Sequence, residues 1–186
     1  TVVERIFAAN GLKVFDVEEI TTHGGSLRVF ARHAKTGTHK TTARVTNLLD
    51  REASAGLTQV QTYAGFQLRA EKTKDDFVSF LIDAKRQGKR VAAYGAAAKG
   101  NTLMNFSGCR ADLIRYVIDR NPAKQGNFMP GSRIPIVGEE ALDKDKPDYV
   151  VILPWNLKSE VMAQLEHVRK WGGKFVTAVP KLKIIE

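Results

Sequence analysis

Several things are scarce in this sequence, and each shortage removes a class of function. There is one cysteine, Cys109, so no disulfide can form within the chain and a cysteine-built metal site is not expected. No apolar run reaches the roughly twenty residues that cross a bilayer, and no signal peptide is visible; the cytoplasm is the simplest compartment and no membrane partner is expected. Blocks of like charge are missing, as is any interleaving of aromatic with basic residues, although 29 Lys and Arg against 20 Asp and Glu leave a formal charge of +9. A dispersed excess of that kind suits small anions, phosphates above all, rather than the continuous stripe that tracks a nucleic acid, so no nucleic-acid partner is expected. Internal repeats and low-complexity segments are also missing. What is left is an ordinary globular composition over 186 residues, enough for one good core with an appended subdomain.

Periodicity then organises the chain. Val2, Val3, Ile6 and Phe7 predict a helix ending at Gly11, so the chain begins at Thr1 inside a helix, as a piece of a longer protein would. Leu12–Ile20 and Ser26–His33 alternate as strands about Gly24 and Gly25, with Val14, Asp16 and Glu18 predicted on one face and Phe15 and Val17 on the other. Such an antiparallel hairpin is marginal alone and should belong to a larger sheet; its open edges make a homodimer through the hairpin a further expectation. Thr41–Arg69 has helical spacing broken near Gly56, and Thr73 is read as the N-cap of a helix carrying Phe77, Phe80, Leu81 and Ala84 and stopping at Gly88. Beyond it, strands are predicted at Val91–Tyr94, Ile114–Ile118, Tyr149–Leu153 and, last, Phe175–Val179. Helices are predicted at Ala97–Phe106, Glu139–Leu142 and Lys158–Lys170, and a loop over residues 121–136. The fold class is therefore α/β: a Rossmann-like parallel sheet covered by helices, preceded by a helical connector and an antiparallel hairpin. The parts fall at residues 1–35, 36–88 and 89–186.

The segment with the most chemistry is Tyr94-Gly95-Ala96-Ala97-Ala98-Lys99-Gly100-Asn101-Thr102, where an apolar strand passes through small residues into a helix. Gly95 and Gly100 would let backbone approach a ligand, the first helical amides would face an anion, and Lys99 adds a cation. The two glycines are spaced as in a Walker A loop, but Asn101 stands where that loop needs lysine, which argues against nucleoside triphosphate hydrolysis. Asp119, ending the next strand, occupies the place of a ribose-binding acid. Lys99, Lys124 and Arg133 could supply a phosphate cluster; Lys124 and Gln125 lie just past that strand end, although Asn121-Pro122 and Gly126 also read as plain turn chemistry. Trp155 and Asn156 follow another strand, where a ring could stack and an amide could hydrogen-bond; closing the core is the competing reading. In Thr22-His23-Gly24-Gly25-Ser26-Leu27-Arg28, His23 could be a general base or hold a hydroxyl, or could be a solvated residue of an ordinary turn.

Taken in order, the Thr22–Arg28 turn, the Tyr94–Thr102 segment, Asp119-Arg120-Asn121-Pro122 with Lys124-Gln125-Gly126, and Leu153-Pro154-Trp155-Asn156-Leu157 resemble the C-terminal region of S-adenosylmethionine-dependent sugar C-methyltransferases. The resemblance covers nearly the whole chain. It implies a parent enzyme that methylates a keto sugar carried on a nucleoside diphosphate, with residues 1–33 closing a methyltransferase domain whose sheet ends in an antiparallel hairpin. It further implies that S-adenosylmethionine is bound mainly by a domain outside this sequence, so that none binds tightly here and this fragment alone is inactive. Under that resemblance His23 and Arg28 are the catalytic candidates. Tyr94, Gly95, Lys99, Gly100, Asn101, Asp119, Lys124, Trp155 and Asn156 are the substrate-binding ones, with Gly95, Lys99 and Asn101 on the diphosphate. No metal is expected. A non-catalytic regulatory Rossmann-like domain binding a dinucleotide or coenzyme A is the alternative.

Overall fold

Small and β-branched residues in short runs give the second half of the chain a sheet buried on both faces, whereas the first half carries a two-stranded ribbon covered on one. The computed structural model describes all residues from Thr1 to Glu186 except the side chain of His23. They fall into two compact units, Thr1–Gln67 and Leu68–Glu186, divided inside the predicted connector.

In the first unit, α1 (Val2–Ala9) leads into β1 (Leu12–Ile20), which pairs antiparallel with β2 (Ser26–His33) across a short 3-10 turn at Thr22–Gly24. Gly25, at φ +115°, adopts a backbone that side chains rarely tolerate. The register slips between Val14 and Asp16, a bulge at Phe15. The predicted alternation fails there: one extra residue turns Val17 back to the face of Val14, and both are buried with Val45 of α2 (Ala43–Ser54). A break at Gly56 ends α2, as its sequence suggests, and α3 (Val60–Ala64) follows.

The second unit is built on a six-stranded sheet in the order β5-β4-β3-β6-β7-β8. Its strands are β3 (Val91–Tyr94), β4 (Val117–Ile118), β5 (Ile136–Val137), β6 (Tyr149–Ile152), β7 (Lys174–Thr177) and β8 (Lys183–Ile185). The first five run parallel and β8 lies antiparallel at the edge. Four helices accompany it: α4 (Phe66–Arg86), which begins at the unit boundary, α5 (Ala98–Phe106), α6 (Glu140–Asp145) and α7 (Lys158–Gln164). Phe77, Leu81 and Ala84 of α4 and Leu103 and Met104 of α5 pack on one face, while Leu142 of α6 and Val161 of α7 pack on the other.

Several predicted boundaries are corrected. Thr73 lies inside α4 and caps nothing; its hydroxyl donates to the Arg69 carbonyl at 3.0 Å, so the helix runs through it. Ile114 is buried in a turn and only Val117–Ile118 is strand. The predicted Lys158–Lys170 helix gives way after Gln164 to a 3-10 segment, Glu166–Trp171, before Gly172. Phe175–Val179 is not the last strand: β8 follows it, paired Val176 to Ile184. Among the described residues no helix is long and apolar enough to cross a membrane.

Candidate functional site

Strand order reverses at β3: the chain builds β4 and β5 on one side and then returns to place β6 on the other. The carboxyl ends of β3 and β6 flank such a switch point, where α/β sheets hold their ligands. Gly95 makes the turn at φ +89°, and a Cβ there would sit 2.6 Å from Pro154 Cδ, so glycine lets the two strand-end loops meet. The Ala97 amide donates back to the Gly95 carbonyl at 2.8 Å. Within α5 the first bonded amide is that of Asn101, to the Ala97 carbonyl at 2.9 Å. The Ala98, Lys99 and Gly100 amides therefore stand at the open, electropositive end of a nine-residue helix.

Two lysines flank that end. Lys99 donates to Asn156 Oδ1 and holds its ammonium 5.2 Å from the Trp155 ring; two of its three N–H groups remain for another partner. Lys124 donates to the Ala96 carbonyl at 2.9 Å and to Asp119 Oδ2 at 3.1 Å. Lys99 is thus brought beside Trp155 and Asn156, more than fifty positions further along the sequence.

Asp119 is the pin of the β4 end. Its Oδ2 accepts from the Ala96 amide at 2.8 Å and from Lys124, and its Oδ1 from the Asn121 amide at 2.9 Å. Burial works to raise its pKa, but the Asn121 amide, Lys124 and the Ala96 amide together outweigh it and hold the carboxyl below its ordinary value. Both oxygens are engaged in shaping the loop, which leaves this acid poorly placed as a ribose acceptor.

The structure gives two residues of the expected set of ligand contacts packing or hydrogen-bonding duties inside the protein. Gly100 is buried, and a Cβ on it would lie 2.5 Å from Leu153 Cβ; glycine here lets α5 press against the end of β6. Tyr94 points to the opposite sheet face from α5. Its hydroxyl donates to Glu139 Oε1 at 3.0 Å and accepts from Gln164, and burial, reinforced by Glu139, pushes its pKa up to about 12. Glu139 and Gln164, joined at 2.7 Å, went unnoticed in the sequence because each sits on an unremarkable polar helix start or face.

In the first unit Arg28 pairs with Glu18 at 3.1 Å across the hairpin, both side chains well exposed. The His23 side chain, the other catalytic candidate, lies outside the described residues. No group of three or more metal-binding side chains occurs among the described residues.

The chain matches the family model described as the C-methyltransferase C-terminal domain over residues 21–180. It is also 34% identical over 180 residues to the C-methyltransferase NovU of Streptomyces niveus, an alignment that takes in 97% of this chain and 43% of that relative.

Proposed function

The chain belongs to the C-methyltransferase C-terminal domain family, and from that premise we propose that it is the substrate-holding part of an S-adenosylmethionine-dependent enzyme that methylates a nucleoside-diphosphate keto sugar. The observation that carries this reading is the open amino end of α5 at the switch point, with Lys99 and Lys124 on either side. Unpaired amides and ammonium groups share the charge of a diphosphate with little reorganisation. Lys99 supplies a charge-assisted bond from its free N–H groups, Lys124 adds its charge while tied to Asp119, and Trp155 and Asn156 hold Lys99 in position.

In this reading the methyl donor sits on the part of the parent enzyme that this chain does not span, and it supplies an electrophilic methyl group. The chain's own part in the chemistry is electrostatic. Removing a proton next to the sugar ketone leaves an enolate, and His23 and Arg28 are the groups here that would steady its oxygen. Arg28 is held only by an exposed pair with Glu18, of the kind that an anion competes for easily. The hairpin also finds its place as the closing strands of a methyltransferase sheet, which accounts for the exposed Val2, Ile6 and Leu27. The engaged Asp119 speaks against the dinucleotide alternative.

Calorimetric titration with deoxythymidine diphosphate, nicotinamide dinucleotide and S-adenosylmethionine tests the proposal. We expect saturable binding of the first alone, weakened about 10- to 100-fold in Lys99→Ala by loss of one charge-assisted bond of about 1.5–3 kcal/mol. Unchanged affinity in Lys99→Ala would remove the diphosphate assignment, and binding of the dinucleotide alone would restore the regulatory alternative.

A further inference from the structure

On the sheet face away from α5, residues from three strand ends meet at one carboxylate oxygen. Glu139 Oε1 accepts from the Tyr94 hydroxyl at 3.0 Å and from the Gln164 side-chain amide at 2.7 Å, and Arg120 Nε stands 3.4 Å from it. Gln164 also donates to the Tyr94 hydroxyl oxygen, so the Tyr94 O–H and both Gln164 N–H groups have acceptors within a closed ring. Burial, reinforced by Glu139, keeps Tyr94 in its protonated, donating form. A ring closed on itself offers a ligand little. What it can offer is geometry.

Each partner of Glu139 is rooted in an element that presents one part of the proposed diphosphate site. Tyr94 ends β3, and the next residue is Gly95, whose turn leads to the α5 amides and Lys99. Arg120 follows Asp119, which holds Lys124. Gln164 closes α7, the helix that runs on from the Trp155–Leu157 turn, and Trp155 and Asn156 of that turn hold Lys99. Stability alone gives the ring little to do. This face already buries Ile118, Leu142, Ile152 and Phe175, and a partly buried ion pair adds little over apolar side chains of the same volume. A fully satisfied polar network does fix one arrangement of its members. We infer that Glu139 is a positioning residue: through Tyr94, Arg120 and Gln164 it sets the spacing of the strand-end loops that carry Lys99 and Lys124. The inference rests on the diphosphate reading above. Charge and position act in opposite directions here. Removing an anion from the neighbourhood of an anion site tightens binding, whereas losing the spacing of its donors weakens it.

Inorganic pyrophosphate, titrated calorimetrically into the full chain and into three variants, tests this. The Glu139 side chain is 35% exposed, so its replacement leaves the core intact, and thermal melts verify that each variant folds. Glu139→Ala removes charge and acceptor together and should bind pyrophosphate about tenfold more weakly than the wild type. Glu139→Gln removes the charge but keeps an oxygen for Tyr94 and Gln164, and should bind at least as tightly as the wild type. Val168→Ala, in a buried residue of the same face outside the ring, controls for instability: it should melt lower and bind as the wild type does. Glu139→Ala binding as tightly as the wild type or tighter, Glu139→Gln weakened as far as Glu139→Ala, or Val168→Ala weakened equally would each overturn the positioning role and leave the diphosphate site standing. Failure of pyrophosphate to bind the wild type would overturn the diphosphate reading and this inference with it.

Discussion

The two units of this chain solve the same problem unequally. Leu68–Glu186 buries apolar side chains on both faces of its sheet, with Phe77, Met104 and Ile114 among those on one side and Ile118, Ile152 and Phe175 on the other. Thr1–Gln67 buries Val14, Val17 and Val45, and next to them leaves an open apolar trough of about 320 Å³ lined by Val2, Val3, Leu27 and Leu49. A sheet covered twice is self-sufficient, whereas a two-stranded ribbon covered once is marginal. The difference bears on function. Lys99, Lys124 and Asp119 stand on strand ends of the well-packed unit, so the proposed diphosphate site has a rigid base, while His23 and Arg28 stand on the ribbon.

The largest predicted effect would break this comparison most directly. Phe175 is fully buried in β7, and Phe175→Ala should cost about 3–5 kcal/mol, a large share of the whole stability of a typical domain. Val17→Ala removes two methylene equivalents, about 1.5 kcal/mol, from a core with little else in it. Both tryptophans, Trp155 and Trp171, lie in the second unit, so their fluorescence in a denaturant titration follows that unit alone. Phe175→Ala should move the tryptophan transition and Val17→Ala should leave it in place while hastening hydrogen exchange of β1 and β2. If both variants moved the tryptophan transition alike, the units would unfold as one.

A smaller effect sharpens the comparison at the site. Asp119 is 14% exposed and joins Ala96, Asn121 and Lys124 through one carboxylate. Asp119→Asn keeps the shape but loses the charge and one acceptor, and should destabilise the second unit by about 1–3 kcal/mol at neutral pH. The sign with pH follows from the lowered pKa. The unfolded carboxyl takes up its proton near pH 4 and the folded one only at lower pH, so this stabilisation is complete above about pH 4 and is lost as pH falls through the folded value. The gap between wild type and Asp119→Asn, read from tryptophan melts, should therefore be constant from pH 7 to 5 and close as the pH drops below 4. A gap that stayed constant down to pH 2 would mean that the ionised form of Asp119 contributes nothing.

What could be read in advance follows the same division. Val91–Tyr94 and Tyr149–Ile152 were legible as strands because a run of apolar residues between helices has one stable use, the middle of a covered sheet. The same continuity hid which way Tyr94 points, since a strand buried on both faces has no polar side to give its phase. Asp119 was legible as a strand-end acid, but its capture by Ala96 and Lys124 depends on two loops meeting. Gly100 reads like a ligand glycine because a helix that needs room for phosphate and one that needs room for Leu153 show the same residue. In the ribbon, the bulge at Phe15 was invisible: its only trace is a second valine out of phase, and alternation counts cannot tell a bulge from a change of face.

The smallest effect tests what holds the ribbon in place of a core. Its outer side carries ion pairs, Glu19 with Arg51 and Glu18 with Arg28 at the surface and Asp16, half-buried, with an exposed Arg44. The Arg44 guanidinium, helped by the Thr42 hydroxyl, holds the Asp16 carboxyl down at about 2, and Arg51 lowers Glu19. These carboxylates therefore stabilise the ribbon above their ordinary pKa values, and that contribution is lost as pH falls through the lowered ones. Exposed pairs are screened, since the Debye length contracts from about 10 Å at 0.1 M salt to about 3 Å at 1 M. The second unit draws its stability mainly from buried apolar surface, which sodium chloride alters little. Raising the salt from 0.1 to 1 M should hasten hydrogen exchange of the β1 and β2 amides slightly and leave β3 and β6 unchanged. If all four strands responded equally, the ion pairs would be ornaments of the surface, and the three buried valines would carry the ribbon alone.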